Sequence, residues 1–140
     1  MTRINCMPVE TLSDKHLLAE YKEITRPFNK VEKRIQAHTM GNVVIPEHYV
    51  LGAGHETFFF DKLHYLYVRY RDLCEELLHR GVNINVEQFD DICEWIERTF
   101  VDTPYWNYWT PRPEDMYLNM ARLVKRSNFD AAKSEALTLN

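Results

Sequence analysis

Apolar side chains along most of this chain recur every three or four residues, which is the spacing of one face of an α-helix. The first such pattern follows a candidate N-cap at Asp14 and runs through Leu17, Tyr21, Ile24, Phe28, Val31 and Ile35. Pro27 lies inside it and should kink the predicted helix, because proline removes a backbone donor. No segment alternates apolar and polar residues as a half-buried strand does. The fold class is therefore expected to be all-α.

Three further patterns complete the expected helices. The second helix should carry Phe59, Leu63, Leu66, Tyr70, Leu73 and Leu77 and end at Gly81. A shorter third pattern places Phe89, Ile92, Ile96 and Phe100 on one face. The fourth helix should begin at Thr110-Pro111, an N-cap followed by proline, with Glu114 and Asp115 near its start and Arg122, Lys125 and Arg126 at its end. We expect one compact domain over residues 1–140, built from three to four helices.

Several classes of protein fit the composition poorly. No stretch approaches the roughly 20 apolar residues that span a bilayer, and the N-terminus lacks the apolar run of a secretory signal. Three cysteines without a C-x-x-C pair are expected to be buried or half-buried thiols in a reducing cytosol, namely Cys6, Cys74 and Cys93. The six histidines show no zinc spacing, so no metal is expected. Gly52–His55 lacks the third glycine of G-x-G-x-x-G and is predicted to be a tight turn into the second helix.

The net charge of −4 at first argues against a nucleic-acid partner, but its distribution does not. Residues 1–40 hold seven Lys/Arg against five Asp/Glu, whereas in 81–104 Arg98 stands alone against six acidic residues. A phosphate-binding face made from the two ends of the chain is therefore compatible with the acidic total. Composition permits DNA binding without requiring it.

The first predicted helix also has a polar side opposite its apolar stripe. Its members are His16, Glu20, Glu23, Pro27 and Lys30, at helical spacing. Taken alone, this pattern indicates a solvated face and requires no catalysis.

Several segments carry a resemblance to a known family. They are MTRIN at 1–5, DKHLLAEYKE at 14–23, Arg26, LGAGHETFF at 51–59, DKL at 61–63 and ARL at 121–123. With these segments the chain resembles the phage-type pyrimidine-dimer DNA glycosylases, the endonuclease V of T-even phages. The likeness covers roughly residues 1–85 with almost no gaps and is patchy beyond.

The resemblance implies a compact all-α domain with its N-terminus packed near the first helix, and an N-glycosylase that is also an abasic-site lyase. The nucleophile would be the α-amine of Thr2, exposed when Met1 is removed, and Glu23 would be the catalytic carboxylate. An α-amine has a pKa near 7.7–8.0, so an appreciable fraction is neutral at pH 7. A neutral amine can attack C1′ of deoxyribose and form an imine. This chemistry needs no cofactor.

The resemblance also implies a set of DNA-contacting residues, which are Arg3, His16, Lys22, Arg26, Arg122 and Arg126. Lys22 departs from the phage enzyme, which has arginine there, and lysine loses the planar two-pronged grip on phosphate. The expected partner is damaged double-stranded DNA, with cyclobutane pyrimidine dimers the first candidate. The protein is expected to be a monomer without a membrane partner, in the cytoplasm, which is the host cytoplasm if a phage encodes it.

One departure from the family leaves the lesion open. The phage enzyme ends in an aromatic cluster, whereas the tail here has only Phe129, and the aromatic residues stand earlier, in Tyr105–Trp109. That segment either stacks on unpaired bases or forms a hydrophobic plug between the third and fourth helices. Two alternatives therefore stay open: the same chemistry on another damaged or modified base, and a non-catalytic helical DNA-binding protein on this scaffold.

Overall fold

The structure is a computed structural model that describes the backbone of residues 2–138 and the side chains of residues 2–128. Its helices are α1 Asp14–Glu23, α2 Arg26–Gln36, α3 His55–Phe58, α4 Leu63–His79, α5 Val86–Phe100 and α6 Pro113–Thr138. Over residues 2–138 there is no strand, so the all-α prediction is confirmed, with more helices than the three to four expected. Met1 and the side chain of Phe129 lie outside the described residues.

The first predicted helix is two helices, because Pro27 breaks it instead of kinking it. Proline cannot donate to the carbonyl of Glu23, and its ring would clash with that carbonyl in a continuous helix. α1 therefore ends at Glu23, and α2 begins at Arg26 with Pro27 in its first turn. The N-cap of α1 is Ser13, whose side chain accepts from the His16 backbone N–H, and not the neighbouring Asp14. The break places Glu23 and Arg26 at a corner of the chain.

The second predicted helix is also divided near its start. Phe59 lies in a 3-10 turn, Phe59–Asp61, and α4 begins at Leu63. The C-terminal end was predicted correctly. Gly81 has φ +81°, and the hydrogen bonds from Gly81 N to Leu78 O and from Val82 N to Leu77 O, both 3.0 Å, close the last turn.

The third predicted helix is confirmed as α5, whereas the last helix begins later than predicted. Pro111 and Pro113 both suit a first helical position, but Pro113 disfavours the helical conformation at the residue before it. α6 therefore starts at Pro113. Asp115 Oδ2 accepts from the Arg112 backbone N–H at 2.9 Å, which satisfies a donor just before the first turn.

Packing contacts divide the chain into two units. The first contains the residues up to Ile4 together with Pro8–Thr110, and the second contains Asn5–Met7 together with the chain from Pro111 onward. The core of the first unit is built by α1, α2 and α4, and its fully buried side chains include Leu17, Ile24, Phe28, Val31, Leu63, Leu66, Leu73 and Leu77. A single-domain organisation over residues 1–140 stays a prediction.

Two members of the face that was predicted to be solvated, Pro27 and Glu20, are instead buried in the first unit. Glu20 on α1 is 1% exposed and pairs with Arg69 of α4, with 2.5 Å between Arg69 Nε and Glu20 Oε2. The prediction of a solvated face was therefore wrong for Glu20. A carboxylate on the polar side of a helix can be buried when a buried cation pairs with it. The periodicity of the sequence does not reveal such a pair.

The cysteine prediction is confirmed where it concerns burial. Cys6 and Cys74 are buried, Cys93 is half-buried, and all three are free thiols. Within the described part of the chain, no helix combines the length and the apolar character needed to cross a bilayer.

Candidate active site

Thr2 lies at the edge of a cavity in the first unit. The residue is 5% exposed, and it lines a space of about 330 Å³ together with Arg26, Lys30, Gly52, Gly54, His55, Glu56 and Thr57. Thr2 is thus packed beside the corner between α1 and α2, as the family resemblance implies. The cavity gives the N-terminal residue access to a ligand although its surface is nearly covered.

Arg26 connects Thr2 to Glu23. One atom of its guanidinium, Nη1, lies 3.5 Å from Thr2 Oγ1 and 3.8 Å from Glu23 Oε1. The Thr2 hydroxyl and the Glu23 carboxylate therefore both lie close to the same guanidinium nitrogen. The Glu23 side chain is 18% exposed and that of Arg26 is 49% exposed, so the group is accessible from solvent. A nucleophile candidate, a carboxylate and a cation are brought together here.

The far wall of the cavity is the turn predicted at Gly52–His55. Gly52 and Gly54 have positive φ angles of +70° and +88°, a region that glycine adopts without strain. At Gly54 an added Cβ would also lie 3.1 Å from the Pro46 ring. Gly54 is the N-cap of α3, so the glycine turn leads directly into the helix whose residues His55, Glu56 and Thr57 line the cavity. The tight turn is confirmed, although it leads into α3 before α4.

Two side chains of the first unit hold the backbone that follows Thr2. Tyr49 Oη donates to the Ile4 carbonyl at 3.1 Å, and the Ile4 N–H donates to His55 Nε2 at 2.8 Å. His55 Nδ1 lies 2.7 Å from the Val50 carbonyl, which can only accept, so Nδ1 carries the ring proton and Nε2 is the acceptor. Sequence reasoning did not single out Tyr49 or His55. The available signal was the position of His55 inside LGAGHETFF, which was interpreted as a turn alone.

The remaining predicted DNA-contacting residues of the first unit do not line the cavity. Arg3 and Lys22 are exposed, and His16 is half-buried in the first turn of α1. Lys30 and Glu56, which sequence reasoning did not assign to the site, form an ion pair at 2.6 Å on the cavity wall. Lys22 stands one residue before Glu23 and therefore near the same corner of the chain.

In the second unit, Arg122 is engaged with the N-terminal segment. Its Nη2 donates to Asn5 Oδ1, and Asn119 Nδ2 donates to the same oxygen at 2.7 Å. Asn119 Oδ1 accepts from the backbone N–H groups of Cys6 and Met7 at 2.8 Å and 3.2 Å. Asn119 was not predicted as important, yet it is fully buried at 0% exposure. Arg126 is exposed one turn farther along α6.

The aromatic segment Tyr105–Trp109 packs on the start of α4. The Tyr105 and Asn107 carbonyls accept from Leu63 N at 3.1 Å and Tyr65 N at 3.3 Å, two donors that have no partner within the helix. Trp109 contacts the rings of Tyr49, Phe58, Phe59 and Tyr65, and Trp106 stacks on His64 with ring centroids 5.1 Å apart. Tyr108 is 56% exposed. These contacts match the packing interpretation for Trp109.

The cysteine thiols of the first unit are poor competitors for the role of nucleophile. Burial raises the pKa of Cys74, and it raises the pKa of Cys93 to about 11. A thiol must ionise before it attacks, so both are weak nucleophiles at neutral pH. Among the residues that the structure describes, no three His, Cys, Asp or Glu side chains are grouped to hold a metal ion.

Comparison with known protein families gives a match for this chain. The family model described as pyrimidine dimer DNA glycosylase matches residues 1–90. That range contains Thr2, Glu23, Arg26 and the whole cavity wall. Arg122, Arg126 and the aromatic segment lie beyond it.

Proposed function

The chain belongs to the pyrimidine dimer DNA glycosylase family, and from that premise we propose that it cleaves DNA in two linked steps through an imine at Thr2. The first step breaks the glycosidic bond of a damaged base, with cyclobutane pyrimidine dimers as the substrate. In such a dimer the detached base stays joined to its neighbour through the cyclobutane ring. The second step breaks the strand at the resulting sugar. The observation that carries the proposal is Arg26 Nη1, which lies 3.5 Å from Thr2 Oγ1 and 3.8 Å from Glu23 Oε1, with Thr2 and Arg26 lining one cavity.

The base-release step forms a bond between the Thr2 amine nitrogen and C1′ of the deoxyribose. The glycosidic bond breaks, and the base leaves with the bonding electron pair and takes up a proton. The sugar ring then opens as O4′ accepts a proton, which leaves a protonated imine between Thr2 and C1′. Met1 must be absent, because an amide nitrogen does not perform this attack.

The strand-breaking step uses the acidity that the imine confers on C2′. Removal of a C2′ proton expels the 3′ phosphate by β-elimination, and water then hydrolyses the imine and frees Thr2. We assign the proton transfers and the stabilisation of the positively charged sugar to Glu23, because a carboxylate beside an oxocarbenium-like centre favours its charge. Neither step requires a metal or cofactor.

The proposed DNA contacts follow from position and charge. Arg26 is half exposed beside Thr2, while Arg3 and Lys22 are exposed neighbours in sequence of the two reacting residues. We propose that these three cations contact phosphates around the lesion, since cations near the reacting sugar lie near its phosphates. His16 on α1 and Arg122 and Arg126 on α6 are proposed as further contacts.

Borohydride trapping on a duplex with one abasic site tests the mechanism. Reduction turns the imine into a stable covalent complex, which should form with the protein whose N-terminus is Thr2. The same preparation after selective acetylation of the α-amine is the matched control and should give no complex. A protein that binds the duplex but is never trapped would be a non-catalytic DNA-binding protein. Trapping without cleavage of dimer-containing DNA would place the same chemistry on another lesion.

A further inference from the structure

We infer that Tyr49 and His55 are positioning residues for the Thr2 amine, and that they act by fixing the peptide of Ile4. The inference rests on the proposed function, because it concerns the residue proposed as the nucleophile. Ile4 is 0% exposed, and both of its backbone polar groups are held by side chains. Ile4 is two residues from Thr2, so these hydrogen bonds restrain the short stretch of backbone that carries the proposed nucleophile. We call the Ile4 peptide the anchor of Thr2.

The anchor matters because a nucleophile must be held within a narrow range of distance from its target. A displacement of about 1 Å costs on the order of a hundredfold in rate. Chain ends lack covalent support on one side and are poorly ordered unless something ties them down. The contact of Arg26 with Thr2 Oγ1 is 3.5 Å long, whereas the hydrogen bond of Ile4 N–H to His55 is 2.8 Å. The stronger restraint on the backbone is thus at Ile4.

His55 is itself held firmly. Nδ1 donates to the Val50 carbonyl, and the ring packs edge-on against Tyr49 and Phe59, with centroids 5.4 Å and 5.7 Å away. The tautomer is therefore fixed, and the lone pair of Nε2 accepts the hydrogen bond from the Ile4 N–H.

His55 also belongs to the cavity. It is the first residue of α3 and lines the same space as Thr2, together with its neighbours Glu56 and Thr57. The residue that restrains the Ile4 backbone is thus part of the wall of the cavity that Thr2 also lines. A substrate seated against this wall would meet the amine at a distance set by His55.

The test compares two tyrosine variants that each lose one buried hydroxyl. Tyr49→Phe removes the donor to Ile4 and keeps the ring contacts. Tyr67→Phe is the matched control, because Tyr67 is also buried and its hydroxyl donates to Glu97 on α5. The measurements are the maximal single-turnover rate of borohydride trapping on an abasic duplex, the Kd for an uncleavable abasic analogue, and hydrogen exchange at the Ile4 amide.

Tyr49→Phe should lower the maximal trapping rate by about tenfold, with Kd within about twofold of the unsubstituted protein and faster exchange at Ile4. Tyr67→Phe should leave all three unchanged. His55→Leu should lose at least as much rate, and if it does not fold, Tyr49→Phe decides the matter. An unsubstituted protein that traps, together with a Tyr49→Phe variant that traps equally fast, overturns this inference alone. An unsubstituted protein that never traps overturns the proposed function, and this inference with it.

Discussion

Arg69 holds the buried carboxylate of Glu20 with two hydrogen bonds, 2.5 Å from Nε to Oε2 and 3.1 Å from Nη2 to Oε1. The pair joins α1 to α4 in the interior of the first unit, where both side chains are less than a tenth exposed. Charges taken out of water are costly unless they are paired, so neither partner can be removed alone without penalty. Glu20 is thus part of the packing between α1 and α4, whereas Glu23, one turn later on α1, is the residue that we propose for catalysis.

The first prediction concerns this pair. Glu20→Ala should destabilise the protein by about 3–5 kcal/mol, because it removes the carboxylate that pairs with the buried Arg69 guanidinium. Glu94→Ala is the control, since Glu94 forms an exposed pair with Arg98 at 3.9 Å and should cost no more than about 0.5 kcal/mol. Urea unfolding measures both. Equal free energies of unfolding for the two variants would show that the Glu20 pair is not buried in solution.

The second prediction concerns the N-terminal amine. A preparation that retains Met1, or whose N-terminus is acetylated, should lose base release and strand cleavage, because the nucleophile is then displaced or removed. Intact mass identifies the N-terminus of each preparation, and cleavage is measured on the same samples. Full cleavage by an acetylated protein would exclude Thr2 as the nucleophile.

The third prediction separates chemistry from folding at Glu23. Glu23→Gln should abolish cleavage of both abasic and dimer-containing duplexes while Kd stays within about threefold, since the loss falls on the transition state. Glu76→Gln is a close match: its side chain is 19% exposed and pairs with Arg80 at 2.9 Å, whereas that of Glu23 is 18% exposed and pairs with Arg26 at 3.8 Å. Single-turnover rates and Kd are measured for both. If the two variants cleave alike, Glu23 is an ordinary helix-end glutamate.

The fourth prediction concerns phosphate contacts. Binding should weaken steeply with salt despite the net charge of −4, because counterion release depends on the phosphates contacted and not on total charge. Arg3→Ala and Arg26→Ala should each reduce the slope of log K against log salt by about 1. Arg98→Ala, on the acidic α5, should leave that slope unchanged. A slope near zero for the unsubstituted protein would mean that it has no DNA-facing basic surface.

The sequence predicted the helices better than it predicted their ends. Apolar spacing located α1, α2, α4 and α5, because burial of one face imposes that spacing. The division of the first helix depends on whether Pro27 kinks or breaks it, and the start of α6 depends on which of Pro111 and Pro113 occupies the first helical position. Only the surrounding packing decides between these outcomes. The burial of Glu20 depends on Arg69, which is remote in sequence, so no local pattern reports it.

The candidate site was predicted in part. Thr2 and Glu23 followed from motif resemblance, and the structure brings both to Arg26. The residues that hold the N-terminal segment, which are Tyr49, His55 and Asn119, could not be found in this way. Each contacts backbone, and the spacing of side chains along a sequence does not show which peptide group a distant side chain will meet.

The last prediction concerns the aromatic segment Tyr105–Trp109, where a packing role and a DNA-contacting role predict different effects of substitution. Trp109 contacts four core rings, so Trp109→Ala should lower stability by about 3–5 kcal/mol, and any loss of activity should be equal on dimer-containing and abasic duplexes. Tyr108 packs edge-on against His64 and Tyr65, but it is 56% exposed, so much of its ring is accessible to a base.

An enzyme that reaches C1′ in a duplex must open the stack, which costs least where a base is already missing. We expect Tyr108 to stabilise the opened site by stacking on a base, an interaction worth about 1–3 kcal/mol. Tyr108→Ala should therefore slow dimer cleavage at least about fivefold more than abasic cleavage. Its melting temperature should be unchanged. Single-turnover cleavage of matched oligonucleotides, one with a thymine dimer and one with an abasic site, measures the difference. Equal rates for Tyr108→Ala and the unsubstituted protein on both duplexes would remove the segment from lesion recognition and leave it a packing element on α4.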